Sequence, residues 1–326
     1  MTADANTDST SPRWLRRLLS LRSKVKTSPK LEQRLLIVAL IVFVGATIAG
    51  LIALPPIDGG INWPPLVALA LIGYPLMVLG MAGQYIASAR IVAIDVGIWH
   101  AYRIAILSAA ANLLPVPGAV VVRAASLSRA GTGLGKSFAS STAVGFSWLG
   151  MTGVVGGVFL LLDGEPGTGL VYLAAGVVAN IAYVAWVHRL TRTGDHGRSA
   201  ILLGLGVGAG IAIVAGINQW LAFEALRADV SFSQSVAISA AGVLAATVGF
   251  FPGGLGLREV FAAGLAANVG VSAALGAVAT ALGRVVAMAD LAIITVAVRI
   301  GGRGDQSLGL TDLRNTLSAE EGMTET

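Results

Sequence analysis

The sequence predicts an all-α integral membrane protein: a polytopic helical bundle of two inverted repeats, with about six full spans and two re-entrant broken helical hairpins. Hydrophobic residues make up 55% of the chain and charged residues only 12%, whereas a soluble domain has about 25% charged residues. Several apolar runs are long enough to cross a bilayer. Two proline- and glycine-rich breaks, each followed by an arginine, recur 135 residues apart within apolar sequence.

Three regions follow from the charge pattern. Residues 1–33 are a basic cytoplasmic tail, residues 34–299 the membrane domain, and residues 300–326 a polar cytoplasmic tail. The first tail carries an interfacial helix around Trp14, with arginines opposite its apolar face, which we expect to contact anionic lipid headgroups. Basic residues flank the first and last spans, so both termini are predicted on the cytoplasmic side of the plasma membrane.

Each predicted span is an apolar run of roughly one bilayer thickness, because about 20 helical residues cover about 30 Å. The spans are Leu35–Leu54, Pro65–Ala87, Ser137–Leu162, Leu170–Val187, Ala200–Leu221 and Val271–Val298.

The two broken segments interrupt helices inside apolar sequence. Proline and glycine break helices, and charge at this depth points to a re-entrant segment that lines a polar site. A surface loop between short helices is the simpler alternative. The breaking and close-approach residues are Pro117 and Gly118 in the first segment, and Pro252, Gly253, Gly254 and Gly256 in the second.

The two segments align without a gap, which defines repeats 34–164 and 169–299. Pro117 aligns with Pro252, Gly118 with Gly253, Arg123 with Arg258, Gly135 with Gly270, and Ser137 with Ser272. Three full spans per repeat make the repeats inverted if each hairpin enters and leaves on one side. The alternative is that both broken segments cross the membrane as kinked helices.

The arginines around the breaks predict an anion site. Pro117 and Pro252 are expected to begin the second half-helices, because proline favours the first helical position. The half-helix N-termini, together with Arg123, Arg258 and Arg284, would attract a phosphate. Glu259 is expected to pair with Arg284 rather than with its neighbour Arg258, since adjacent residues diverge on a helix. The alternative is an ion pair that only fixes helix packing.

These motifs resemble the flippase-like membrane family, which includes the transmembrane region of lysylphosphatidylglycerol synthases. In the second half the resemblance rests on Pro252-Gly253-Gly254, Gly256 and Glu259, then Gly270, Ser272 and Arg284. In the first half it rests on Asn112-Leu113-Leu114-Pro115 with Gly118 and Arg123, but Ala119 stands where the family usually has glutamate. The resemblance covers about residues 35–299. It implies translocation of lipids, and it puts any mechanism that needs that first acid in doubt.

The expected function is therefore translocation of an anionic or modified phospholipid, or of a polyprenyl-phosphate-linked lipid. The expected partners are membrane lipids and a separate lipid-modifying enzyme, because only a short tail follows the membrane region where those synthases carry a soluble transferase domain. The alternatives are an ion-coupled solute transporter, which the same architecture allows, and a membrane-embedded lipid transferase. We expect no enzyme activity, because the sequence offers no catalytic constellation. No cofactor, metal or nucleic-acid partner is expected either: there are no cysteines, and the three histidines lack a ligand-like spacing.

Overall fold

The computed structural model describes residues 60–112, 118–191, 195–248 and 256–301, and these residues are all-helical. The predicted span Leu35–Leu54 and both predicted tails lie outside the described residues. So do Pro117, Pro252, Gly253 and Gly254.

Nine helices follow one another in the described residues: α1 Trp63–Ile91, α2 Ile98–Ala111, α3 Gly118–Arg129, α4 Leu134–Leu162, α5 Pro166–Thr191, α6 Asp195–Ala225, α7 Phe232–Val248, α8 Leu257–Asn268 and α9 Ala273–Gly301. Five of them (α1, α4, α5, α6 and α9) are long and apolar enough to cross a membrane. They match the second to sixth predicted spans and extend a few residues beyond most of the predicted ends.

The four short helices pack as two hairpins, α2 with α3 and α7 with α8. They contain 12 to 17 residues, which is about 18–26 Å and less than a bilayer core. In the first hairpin the Asn112 side chain, at the end of α2, accepts a 3.0 Å hydrogen bond from the backbone N–H of Ala119 in α3. This bond satisfies one of the free donors of α3 and fixes the two helices to each other.

The second hairpin begins at a capped N-terminus that is tied to α4. Ser231 and Gln234 exchange hydrogen bonds between side chain and backbone at the start of α7, as in a capping box. The hydroxyls of Ser231 and Ser233 also donate to Asp163, the residue after α4. These bonds hold the pKa of Asp163 below its usual value.

Helix α1 contains a π-helical segment, Leu69–Gly73. Pro75 follows directly and cannot donate a backbone hydrogen bond, which accounts for the distortion. The Asn218 side chain of α6 donates a 3.2 Å hydrogen bond to the Gly73 carbonyl. A neighbouring helix thus satisfies a backbone acceptor at the distortion, as the interior of a membrane requires.

Helices α4 and α5 pack closely along a line of glycines. A β-carbon added at Gly153 would lie 2.7 Å from the Gly176 α-carbon, and one added at Gly157 would lie 2.7 Å from the Gly169 carbonyl oxygen. Small residues at such contacts let two membrane helices approach and gain van der Waals energy.

The two halves of the bundle correspond in helix order and length, with a shift that the gapless alignment did not predict. Helices α3 and α8 both have 12 residues, and α4 and α9 both have 29. Both pairs begin and end 139 residues apart. Gly131 and Gly270, each at positive φ after the short helix, have the same separation. The alignment of Arg123 with Arg258, and of Gly135 with Gly270, is therefore wrong by four residues after the break.

Candidate anion-binding site

Glu259 and Arg284 form the ion pair expected from the sequence. Arg284 Nε on α9 lies 3.1 Å from Glu259 Oε1 on α8, and the Glu259 side chain is fully buried. Glu259 Oε2 accepts no hydrogen bond from the described residues. A buried carboxylate is costly without a partner, so Arg284 compensates a charge that would otherwise be stranded.

Arg258 brings a second cation to the same place. Arg258 and Arg284 both lie within electrostatic range of Glu259. Arg258 is half-buried, and its Nε atom is shielded from solvent and has no hydrogen-bond partner in the described part of the chain. Two arginines therefore share one carboxylate, and the cluster carries one surplus positive charge.

The hairpin leaves room for the Arg258 side chain. A β-carbon added at Gly242 of α7 would lie 3.4 Å from Arg258 Cζ. The guanidinium therefore rests against a helix face that has no side chain at this point. A larger residue at position 242 would have to displace the guanidinium.

Gly256, rather than Pro252, sets the start of α8. Gly256 is the N-cap residue with φ +77°, a conformation that glycine adopts readily, and the helix begins at Leu257. The expectation that Pro252 begins this helix is therefore wrong. In the first hairpin, α3 begins at Gly118, next to Pro117, as predicted. The positive end of the α8 dipole favours the carboxylate of Glu259 in its first turn.

A polar contact that sequence reasoning missed lies one turn from Arg284. Thr280 Oγ1 donates a 3.3 Å hydrogen bond to Gln219 Oε1 of α6, while Gln219 Nε2 is buried without an acceptor among the described residues. Thr280 and Arg284 share a face of α9 because they are four residues apart. The signal was an amide inside an apolar span, which draws less notice than a full charge.

Arg123 does not share the Glu259–Arg284 pair. It is buried on α3, and its Nη1 donates a 3.0 Å hydrogen bond to Gln84 Oε1 of α1. Its Nε atom has no partner within the described ranges. Gln84 and Gln219 are 135 residues apart, so the two halves carry a buried glutamine at the same repeat position.

The charged pair has no counterpart in the first half. With the 139-residue correspondence of the helices after the break, Glu259 matches Val120 and Arg284 matches Gly145. Both members are absent together, so no charge is stranded there. The structure thus has two buried cationic centres of different chemistry. The first is Arg123 with a neutral amide, and the second is the cluster Arg258, Glu259 and Arg284.

Comparisons with protein-family models and with curated proteins found no match for this chain.

Proposed function

We propose that the protein is a lipid translocase that moves an anionic or modified phospholipid, or a polyprenyl-phosphate-linked lipid, between leaflets. The supporting observation is the buried cluster of Arg258, Glu259 and Arg284, which has more positive than negative charge. Charged groups at membrane depth are costly and are usually retained for substrate pathways. Arginine recognises phosphate through several hydrogen bonds at once. The resemblance to flippase-like proteins points to the same substrate class.

The proposed arrangement is two inverted repeats with both termini in the cytoplasm. Hairpin α2–α3 then enters from the cytoplasmic side, and hairpin α7–α8 from the opposite side. Arg284 is the twelfth residue of α9, about 17 Å from its start, and Arg258 lies about 15 Å from the end of α8. In this arrangement both guanidiniums lie near the middle of the bilayer, where inverted-repeat transporters bind substrate.

A translocation assay with a charge-removing variant tests this function. The protein is reconstituted in vesicles that contain fluorescent phosphatidylglycerol or a fluorescent polyprenyl phosphate, and the exposed label is quenched chemically. We expect the wild type to move at least one of these lipids and Arg258→Gln to lose at least tenfold in rate, the equivalent of about 1.4 kcal/mol. Arg189→Gln is the matched control, because Arg189 is an exposed arginine on α5.

Two results would count against the proposal. Translocation by Arg258→Gln at the wild-type rate would remove the cluster from the mechanism. A wild type that moves no lipid but takes up a soluble anion with an ion gradient would favour the solute-transporter alternative. Arg258→Lys refines the reading, because lysine keeps the charge but loses the planar fork of donors.

The proposed orientation is tested separately with reporter fusions in the connections between helices. Fusions after residues 60 and 165 should report the outside, and fusions after residues 193 and 305 the cytoplasm. A C-terminal fusion that reports the outside would refute the inverted arrangement, whatever the protein transports.

A further inference from the structure

A cavity of about 330 Å³ opens where α1 ends, α2 begins and α3 ends. It lies away from the cluster on α8 and α9. The polar groups in its wall are Tyr85, Asp95, His100, Ser126 and Arg129, and the Gly97 backbone completes it.

A chain of polar groups runs along the cavity wall. The buried Tyr85 hydroxyl lies 2.7 Å from Ser126 Oγ, and Ser126 Oγ lies 3.5 Å from His100 Nε2. Both hydroxyls and the imidazole can donate hydrogen bonds. The wall therefore offers three donors to one acceptor group.

The charges at the rim favour an anion. Arg129 is exposed at the end of α3. The one carboxylate in the wall, Asp95, is 95% exposed and lies 3.8 Å from Arg90 Nη2, so solvent and a cation both screen it. Gly97 caps α2 without a side-chain hydrogen bond, and the first turn of α2 has no acidic residue, which adds a weakly positive helix end.

Apolar side chains beside the rim indicate a lipid rather than a free anion. Trp99 is 78% exposed and Ile98 50% exposed, on the same turn of α2 as His100. Tryptophan is enriched at the membrane interface, where its ring lies at headgroup level. An acyl chain could lie against this surface while its phosphate enters the cavity.

The cavity also lies close to the buried Arg123. Ser126 is one helical turn from Arg123 on α3, and their partners, Tyr85 and Gln84, are adjacent on α1. Arg123 is 94% buried by the complement of its 6% exposure, and its Nε is without a partner in the described residues. The polar wall therefore continues inward to an unsatisfied cationic donor.

We propose that this cavity binds the phosphate of a phospholipid headgroup, with Arg129 and His100 at the rim and Ser126 and Tyr85 as inner donors. The site is separate from the Arg258 cluster. Its occupancy does not depend on translocation, so a failure of the proposed function would leave it standing.

The test is calorimetric binding of short-chain phosphatidylglycerol to the full chain in a non-ionic detergent, with inorganic phosphate as the comparison. Arg129→Gln and His100→Gln should each weaken lipid binding about tenfold, since hydrogen bonds to charged groups typically contribute that much. Arg189→Gln should bind like the wild type. Arg258→Gln should keep the cavity binding, which separates this site from the central cluster.

Each remaining outcome overturns part or all of the proposal. Binding within twofold of the wild type in both rim variants would remove the phosphate site. Inorganic phosphate that binds as tightly as the lipid would overturn the lipid source, because Trp99 and Ile98 would then contribute nothing. Both rim residues are exposed or close to exposed positions, so their variants should fold, and circular dichroism checks this.

Discussion

Removal of Arg284 should damage both the stability and the activity of the protein. In Arg284→Gln the fully buried Glu259 loses a cation whose Nε lies 3.1 Å from its Oε1. At an effective dielectric constant of about 20, that attraction is about 5 kcal/mol. Breaking buried pairs typically costs about 3–5 kcal/mol. At about 2 °C per kcal/mol for a large domain, the melting temperature should fall by roughly 6–10 °C.

The double variant Arg284→Gln with Glu259→Gln separates stability from function. Neutralising both partners removes the stranded charge, so most of the lost melting temperature should return. Translocation should not return, because one of the two central cations is gone. The measurements are the melting temperature in detergent and lipid translocation in vesicles, with Arg189→Gln as the control.

Two outcomes would refute this reasoning. Restored translocation in the double variant would make Arg284 a packing residue and leave the anion site without its support. A single variant as stable as the wild type would mean that the Glu259 carboxylate has no need of Arg284. In that case the coupling energy between the two residues would be near zero in a double-mutant cycle.

Three further predictions concern the scaffold. Gly153→Val should lower the melting temperature strongly, because its β-carbon meets the α5 backbone, whereas Gly145→Val on the same helix meets open space and should not. Equal melting temperatures would refute the close glycine contact. Gly256→Ala should cost about 1–2 kcal/mol for its left-handed backbone, and Gly283→Ala, which has no close neighbour, serves as its control. Asp163→Asn should lower stability at neutral pH by an amount that shrinks below about pH 4, because the carboxylate with its depressed pKa loses its contribution as it protonates. A difference that stays constant down to pH 2 would contradict this assignment.

The spans and the central ion pair were predictable because each follows from a simple physical demand. Lipid requires long apolar helices whose backbone hydrogen bonds are internal, and this accounts for the five matched spans. Glu259 needs a cation, its neighbour Arg258 points away along the helix, and Arg284 is a cation within the next span. The pairing follows from those three facts.

The start of α8 and the inner amides were not predictable in the same way. Proline at a helix start and glycine at positive φ are competing signals, and the structure begins the helix after Gly256 rather than at Pro252. A gapless match of short motifs then set the second hairpin off by four residues. Gln84 and Gln219 carry no charge, so composition did not single them out, although each makes a buried side-chain hydrogen bond.

The four-residue shift between the halves has an energetic consequence. Identical inverted repeats would exchange their conformations in a transport cycle, and the two end states would then have equal free energy. Here one half holds an arginine against a neutral amide and the other holds an ion pair with an extra arginine. The two end states are therefore unequal, and the empty protein rests mainly in one of them. A substrate must bind the minor state more tightly to shift that population, and the difference in affinity bounds how far it can do so.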